Sequence, residues 1–168
     1  FETALLDGLK GDYIAFAGYE KRKSPYFLRK AEINRPVKRA RAYISGLGYY
    51  ELTLNGRKVG NASLCPGWTD YNKRVLYDTY DITPYLHQGK NAVGVQLGEG
   101  WFGHEHIFFQ QIFGTNPSWY NDPCLKMTVL ITYQDGTQET ILTAADGTWL
   151  CAQSPIIMNN VFDGETYD

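Results

Sequence analysis

Asn55-Gly56 sits between the alternating run Tyr50-Glu51-Leu52-Thr53-Leu54 and Arg57-Lys58-Val59, and it constrains the fold more than any other feature of the chain. Asn-Gly supplies the two positive φ angles that a two-residue hairpin needs. A period of two places Tyr50, Leu52 and Leu54 on one face of a strand and Glu51 and Thr53 on the other. The same period recurs along the chain. Ala40, Ala42 and Ile44 alternate with Arg39, Arg41 and Tyr43, and Val93, Val95 and Leu97 alternate in turn. Leu125, Met127, Val129, Ile131 and Tyr133 form the longest clean alternation, and Asp135-Gly136 turns it back through residues 139–142. Residues 26–33 and 75–80 also read as strands. Thr83-Pro84-Tyr85-Leu86 reads as one helical turn, with Thr83 as its cap and Gly89 ending it. Short strands, Gly/Asn/Asp turns and almost no helical periodicity predict an all-β fold, an antiparallel β-sandwich forming a single domain over residues 1–168, with residues 1–25 an irregular lead-in.

Composition narrows the partners. Sixteen Lys and Arg against 18 Asp and Glu leave a net charge of −2, too little field to gather phosphate backbones or anionic lipid, so neither nucleic acid nor a membrane surface is an expected partner. Lys38, Arg39 and Arg41 look like a basic patch only when read linearly; strand alternation makes them a solvated face. No apolar run reaches the roughly 20 residues a bilayer span needs. Cys65, Cys124 and Cys151 fit neither a zinc ribbon nor a redox pair, and read as small hydrophobes with at most one disulfide among them. A start without Met and a stop at Asp168 directly after a motif predict a piece of a longer chain.

Thirteen Tyr and four Trp favour β-structure and binding surfaces, since each joins a broad apolar face to a polar tip. A sugar ring offers a C–H face to an aromatic and hydroxyls to directional donors and acceptors. The loop containing Trp68, Asp70, Tyr71 and Asn72 holds both kinds of group, as does the segment from Glu99 to Trp101, so these six residues are the candidate carbohydrate site. Each tryptophan has a second reading, Trp68 as a structural corner after Pro66-Gly67 and Trp101 as a plug at the end of the sandwich. Asp70, Asn72, Asp78 and Asp81 offer hard oxygen ligands for a calcium ion, though not in an ordered loop motif. His104 and His106, with Glu99 and Glu105 nearby, lack a third transition-metal ligand placed by spacing. No nucleophile elbow or nucleotide-binding glycine loop is present.

Several ordered stretches resemble one family. They are residues 48–60, beginning Gly48-Tyr49-Tyr50-Glu51-Leu52; Pro66-Gly67-Trp68-Thr69-Asp70-Tyr71-Asn72-Lys73-Arg74-Val75; Tyr77-Asp78-Thr79-Tyr80-Asp81-Ile82-Thr83; Asn91-Ala92-Val93-Gly94-Val95; Leu97-Gly98-Glu99-Gly100-Trp101-Phe102; and Phe162-Asp163-Gly164-Glu165-Thr166-Tyr167-Asp168. Together they are similar to the N-terminal β-sandwich domain of bacterial α-L-rhamnosidases, from about Tyr26 onward. Ser154-Pro155-Ile156 departs from the Gly-Pro-Ile often found in that family, and residues 104–119 follow no family pattern. The resemblance implies a jelly-roll, galactose-binding-like sandwich preceding an (α/α)-barrel in which inverting hydrolysis of terminal α-L-rhamnose takes place. Inverting chemistry needs two carboxyl groups roughly 6.5–9.5 Å apart across a pocket. No such pair is recognisable here, so the expected catalytic set of this chain is empty. Its expected partners are a rhamnose-containing glycan and a downstream catalytic domain, the alternative being a docking module with no ligand.

Overall fold

A computed structural model describes residues 5, 7–103, 110–112, 114, 115 and 117–168. The described chain is an antiparallel sandwich. One sheet contains β1 (Ile14–Ala15), β3 (Val37–Leu47), β6 (Asp78–Asp81), β8 (Cys124–Tyr133) and β9 (Gln138–Leu142). In it β8 pairs with β3 on one edge and with β1 and β9 on the other, while β6 flanks β3. The facing sheet runs in the order β10 (Trp149–Gln153), β2 (Pro25–Ile33), β7 (Gly89–Gly98), β4 (Tyr49–Leu54), β5 (Arg57–Lys58). A separate hairpin, β11 (Ile156–Asn160) with β12 (Gly164–Tyr167), closes the described chain.

The core lies where the alternation puts it. Ala40, Ala42 and Ile44 of β3 and Leu125 to Tyr133 of β8 meet Phe27 and Ile33 of β2, Val93, Val95 and Leu97 of β7, and Tyr50, Leu52 and Leu54 of β4. Removing these apolar surfaces from water is the main force holding the sheets together. The Asn-Gly hairpin forms as expected, with Asn55 at φ 51° and Gly56 at φ 76°. Asn55 is chosen for its side chain as well. Its amide donates to Tyr85 O and Asn91 Oδ1, both at 2.9 Å, and its Oδ1 accepts from Ala92 N–H at 2.9 Å.

Three local expectations need correction. Residues 75–77 are not strand: β6 begins at Asp78, and Leu76 O accepts from Ser45 Oγ at 2.8 Å outside any ladder. Tyr43, expected to face water, is buried, and the Tyr77 ring meets it edge-on at 6.3 Å. Thr83 does not cap the helical turn. That turn is a 3-10 helix, Thr83–Tyr85, with Ile82 in the cap position and no side-chain cap. Thr83 instead donates to Asp81 Oδ1 at 2.6 Å and accepts from Ala40 N–H at 2.9 Å, and Gly89 opens β7.

Residues before Pro25 are largely irregular but bound to the sandwich. Lys10 exchanges hydrogen bonds with Thr128 Oγ1, and Asp12 does so with Thr143. Among the described residues no helix is long and apolar enough to cross a membrane.

Candidate functional site

Three loops converge at one end of the sandwich. The first leaves β5 and folds around a turn in which Asp70 O accepts from Lys73 and Arg74 N–H, both at 2.9 Å. Asp70 Oδ1 accepts from Asn72 N–H at 3.1 Å, and the other carboxylate oxygen pairs with Lys73 at 3.3 Å. Asn72 donates to Ser118 Oγ at 3.2 Å, tying this loop to the segment that carries Trp119. The second is the turn after β7, where Glu99 O accepts from Phe102 and Gly103 N–H. Glycine is required there: a Cβ on Gly100 would stand 2.9 Å from the Gly48 backbone, too close for any side chain. The hairpin between β11 and β12 supplies Phe162.

Between these loops the aromatic rings form a chain. Trp68 is 51% exposed, and its ring centroid lies 5.7 Å from that of the half-buried Trp101 at an interplanar angle of 40°. Phe162 meets Trp101 edge-on at 5.6 Å, and Tyr71 meets Phe102 and Trp119 edge-on at 5.4 and 5.9 Å. Such tilted and edge-to-face contacts satisfy the ring quadrupoles and hold each ring in place. Burial pushes the ionisation of Tyr49 upward, and the neighbouring Trp101 side chain opposes it. The Tyr71 hydroxyl is buried with no hydrogen-bond partner among the described residues, and burial, then the nearby Tyr49, pushes its pKa up to about 12.

The structure brings Trp68, Asp70, Tyr71, Asn72 and Trp101 together and removes Glu99 from the set. Glu99 is 1% exposed. Its Oε1 accepts from the Tyr19 hydroxyl at 2.8 Å and from Arg22 N–H at 2.7 Å, while its own N–H donates to Asn159 Oδ1 at 2.7 Å. A carboxylate spent on internal donors has nothing to offer a ligand. Phe162, Trp119 and Tyr49 were not singled out as site residues from sequence. Trp119 ends the stretch 104–119 that follows no family pattern, and Phe162 lies far down the chain in a hairpin whose position only folding fixes.

The proposed calcium ligands do not converge. Asp78 accepts from the Tyr50 hydroxyl at 2.7 Å, and Asp81 is taken by Thr83 and by Arg41 at 2.7 Å. Those contacts, the Thr83 hydrogen bond first, hold the Asp81 carboxyl below its ordinary range. Asp70 and Asn72 are left as a pair, and among the described residues no group of three or more His, Cys, Asp or Glu is placed to hold a metal. The set does not fit a calcium ion. His104, Glu105 and His106 lie outside the described residues. Cys65, Cys124 and Cys151 are free and half-buried, and burial pushes the Cys124 thiol up to about 12.

Comparison with known proteins places this geometry in context. The family model described as the α-L-rhamnosidase N-terminal domain matches residues 35–168. An α-L-rhamnosidase of Formosa agariphila is 38% identical over 143 residues, covering 85% of this chain and 15% of that protein. The crystal structure of an Aspergillus terreus α-L-rhamnosidase superposes with a TM-score of 0.77 at 32% identity, over 94% of this chain and 18% of that one. A Streptomyces avermitilis α-L-rhamnosidase solved in complex with L-rhamnose gives 0.76 at 38%, over 87% of this chain and 14% of that one. The chain spans 12–15% of the length of the curated relatives it matches.

Proposed function

Because the chain belongs to the α-L-rhamnosidase N-terminal domain family, we propose that it is a non-catalytic module that helps a parent enzyme recognise rhamnose-containing glycans, the parent hydrolysing terminal α-L-rhamnose. The observation that carries this reading is the Trp68–Trp101 pair, a partly exposed aromatic surface with the polar groups of Asp70 and Asn72 in the same loop. Rhamnose, a deoxy sugar with a methyl group, offers an apolar face to such rings and hydroxyls to such polar groups. Glu99, the carboxylate next to the Trp101 turn, is held in internal contacts by Tyr19 and Arg22, which supports recognition over catalysis.

A second reading, docking onto the rest of the parent protein, is favoured by one observation. The outer face of β10, β2, β7 and β4 forms an open trough of about 620 Å³ walled by Tyr26 and Leu150, which are 40% and 53% exposed. The two readings separate in a titration of the isotope-labelled chain with L-rhamnose, followed by NMR at the indole N–H signals. Shifts at Trp68 and Trp101 support sugar recognition. A titration that leaves both unchanged replaces it with docking.

A further inference from the structure

A cleft of about 650 Å³ opens between β4, the end of β7, residues 62–64 and the terminal hairpin. We infer that this cleft is a second subsite, which takes the sugar unit next to the rhamnose of a rhamnose-terminated saccharide. The inference rests on the sugar-recognition reading above and extends it from one ring to two.

The two places are joined by shared parts. Tyr49 lines the cleft and neighbours Trp101, so one side chain serves as the wall between them. Gly100 lines the cleft immediately before Trp101, and Val161 lines it immediately before Phe162, whose ring rests on Trp101. A ligand on the aromatic surface therefore has the cleft as its direct continuation.

Size and chemistry fit a further sugar. The volume lies within the roughly 300–1,000 Å³ range of small-molecule sites, room enough for a sugar ring. Its lining mixes polar and apolar groups. Tyr49 and Tyr167 offer ring faces, and Ser63 and Glu165 offer polar side chains. Tyr167 is 73% exposed, and neither it nor Glu165 has a side-chain hydrogen bond or ion pair among the described residues. The trough beside it, on the outer sheet face, is lined almost wholly by apolar groups and lacks this mixture.

The test compares L-rhamnose with a rhamnosyl-glucose disaccharide on this chain by calorimetry and NMR. One additional aromatic contact contributes about 0.5–1.5 kcal/mol, so the disaccharide is expected to bind about two- to tenfold more tightly. Its second ring should shift the amides of Gly98, Gly100 and Glu165. The double variant Tyr167→Ala, Glu165→Gln, on a strand whose four residues are all exposed, should lose that gain and keep the affinity for rhamnose. Equal affinity for the two sugars in the parent chain, or a gain that persists in the double variant, overturns the subsite while leaving rhamnose recognition standing. If neither sugar binds, both readings fall together.

Discussion

The Tyr19 hydroxyl donates to Glu99 Oε1 at 2.8 Å, joining the irregular N-terminal segment to the turn that carries Trp101. Arg22 N–H reaches the same oxygen at 2.7 Å, and Asn159 completes the link by accepting from Glu99 N–H and donating to Arg22 O at 2.8 Å. Three segments distant in sequence thus meet on one buried residue, the N-terminal segment at its carboxylate and Asn159 at its backbone N–H. A residue expected from its neighbours to contact a ligand instead holds the turn that carries Trp101.

Glu99→Ala strands the Tyr19 hydroxyl and the Arg22 N–H in a buried site, each costing about 1–3 kcal/mol. A loss of about 2–4 kcal/mol in urea unfolding is expected, with Glu99→Gln, which retains an acceptor oxygen, losing less. An unchanged midpoint for the alanine variant would show that the link carries no stability.

The hairpin gives a cleaner backbone test. A Cβ on Gly56 meets nothing within 4 Å, so a substitution there is felt only through the positive φ. Gly56→Val should cost about 1–2 kcal/mol, and Gly56→Asn much less, because Asn tolerates that conformation. Equal melting temperatures for the two variants would contradict the turn assignment.

Binding at the aromatic surface should be weak. One solvated sugar ring on a shallow site leaves a Kd on the order of 0.1–10 mM, about −3 to −5 kcal/mol. Trp101→Ala should abolish it and Trp68→Ala should weaken it, while Asp163→Ala leaves it intact. Retained affinity in Trp101→Ala moves the site elsewhere.

The chain by itself should release no product from an aryl α-L-rhamnoside above the buffer rate. Turnover that vanishes on mutation of one of its own acidic residues would make it an enzyme.

Stability should fall as pH rises past about 10. Burial first, then Glu99, raises the Tyr19 phenol; burial, then Asp78, raises Tyr50; and Tyr71 is raised to about 12. The unfolded phenols ionise near pH 10 while the folded ones stay protonated, so the folded state binds more protons and is progressively disfavoured above that pH. Denaturant midpoints between pH 8 and about 11.5 should decline, and Tyr71→Phe should flatten part of that decline. A parallel pH profile for the variant would exclude Tyr71 as a contributor.

Period-two alternation and the Asn-Gly pair determined the strands, the hairpin and which residues enter the core, because burying one face of a pleated strand dictates every second side chain. The loop pairing Trp68 with Asp70 and Asn72 was equally legible, since its groups are neighbours in the chain. Tertiary structure decided what depends on approach between distant segments. Tyr43 is buried in contact with Tyr77 from a later segment, and Asp78 and Asp81, two of the residues offered for calcium, are claimed by Tyr50, Thr83 and Arg41. Glu99 lies in a glycine-flanked turn that reads as exposed, and it is buried because Tyr19, Arg22 and Asn159 arrive from elsewhere in the chain to satisfy it. A charged group can leave water only when partners are supplied, and no local pattern around Glu99 announces partners that come from the other side of the fold.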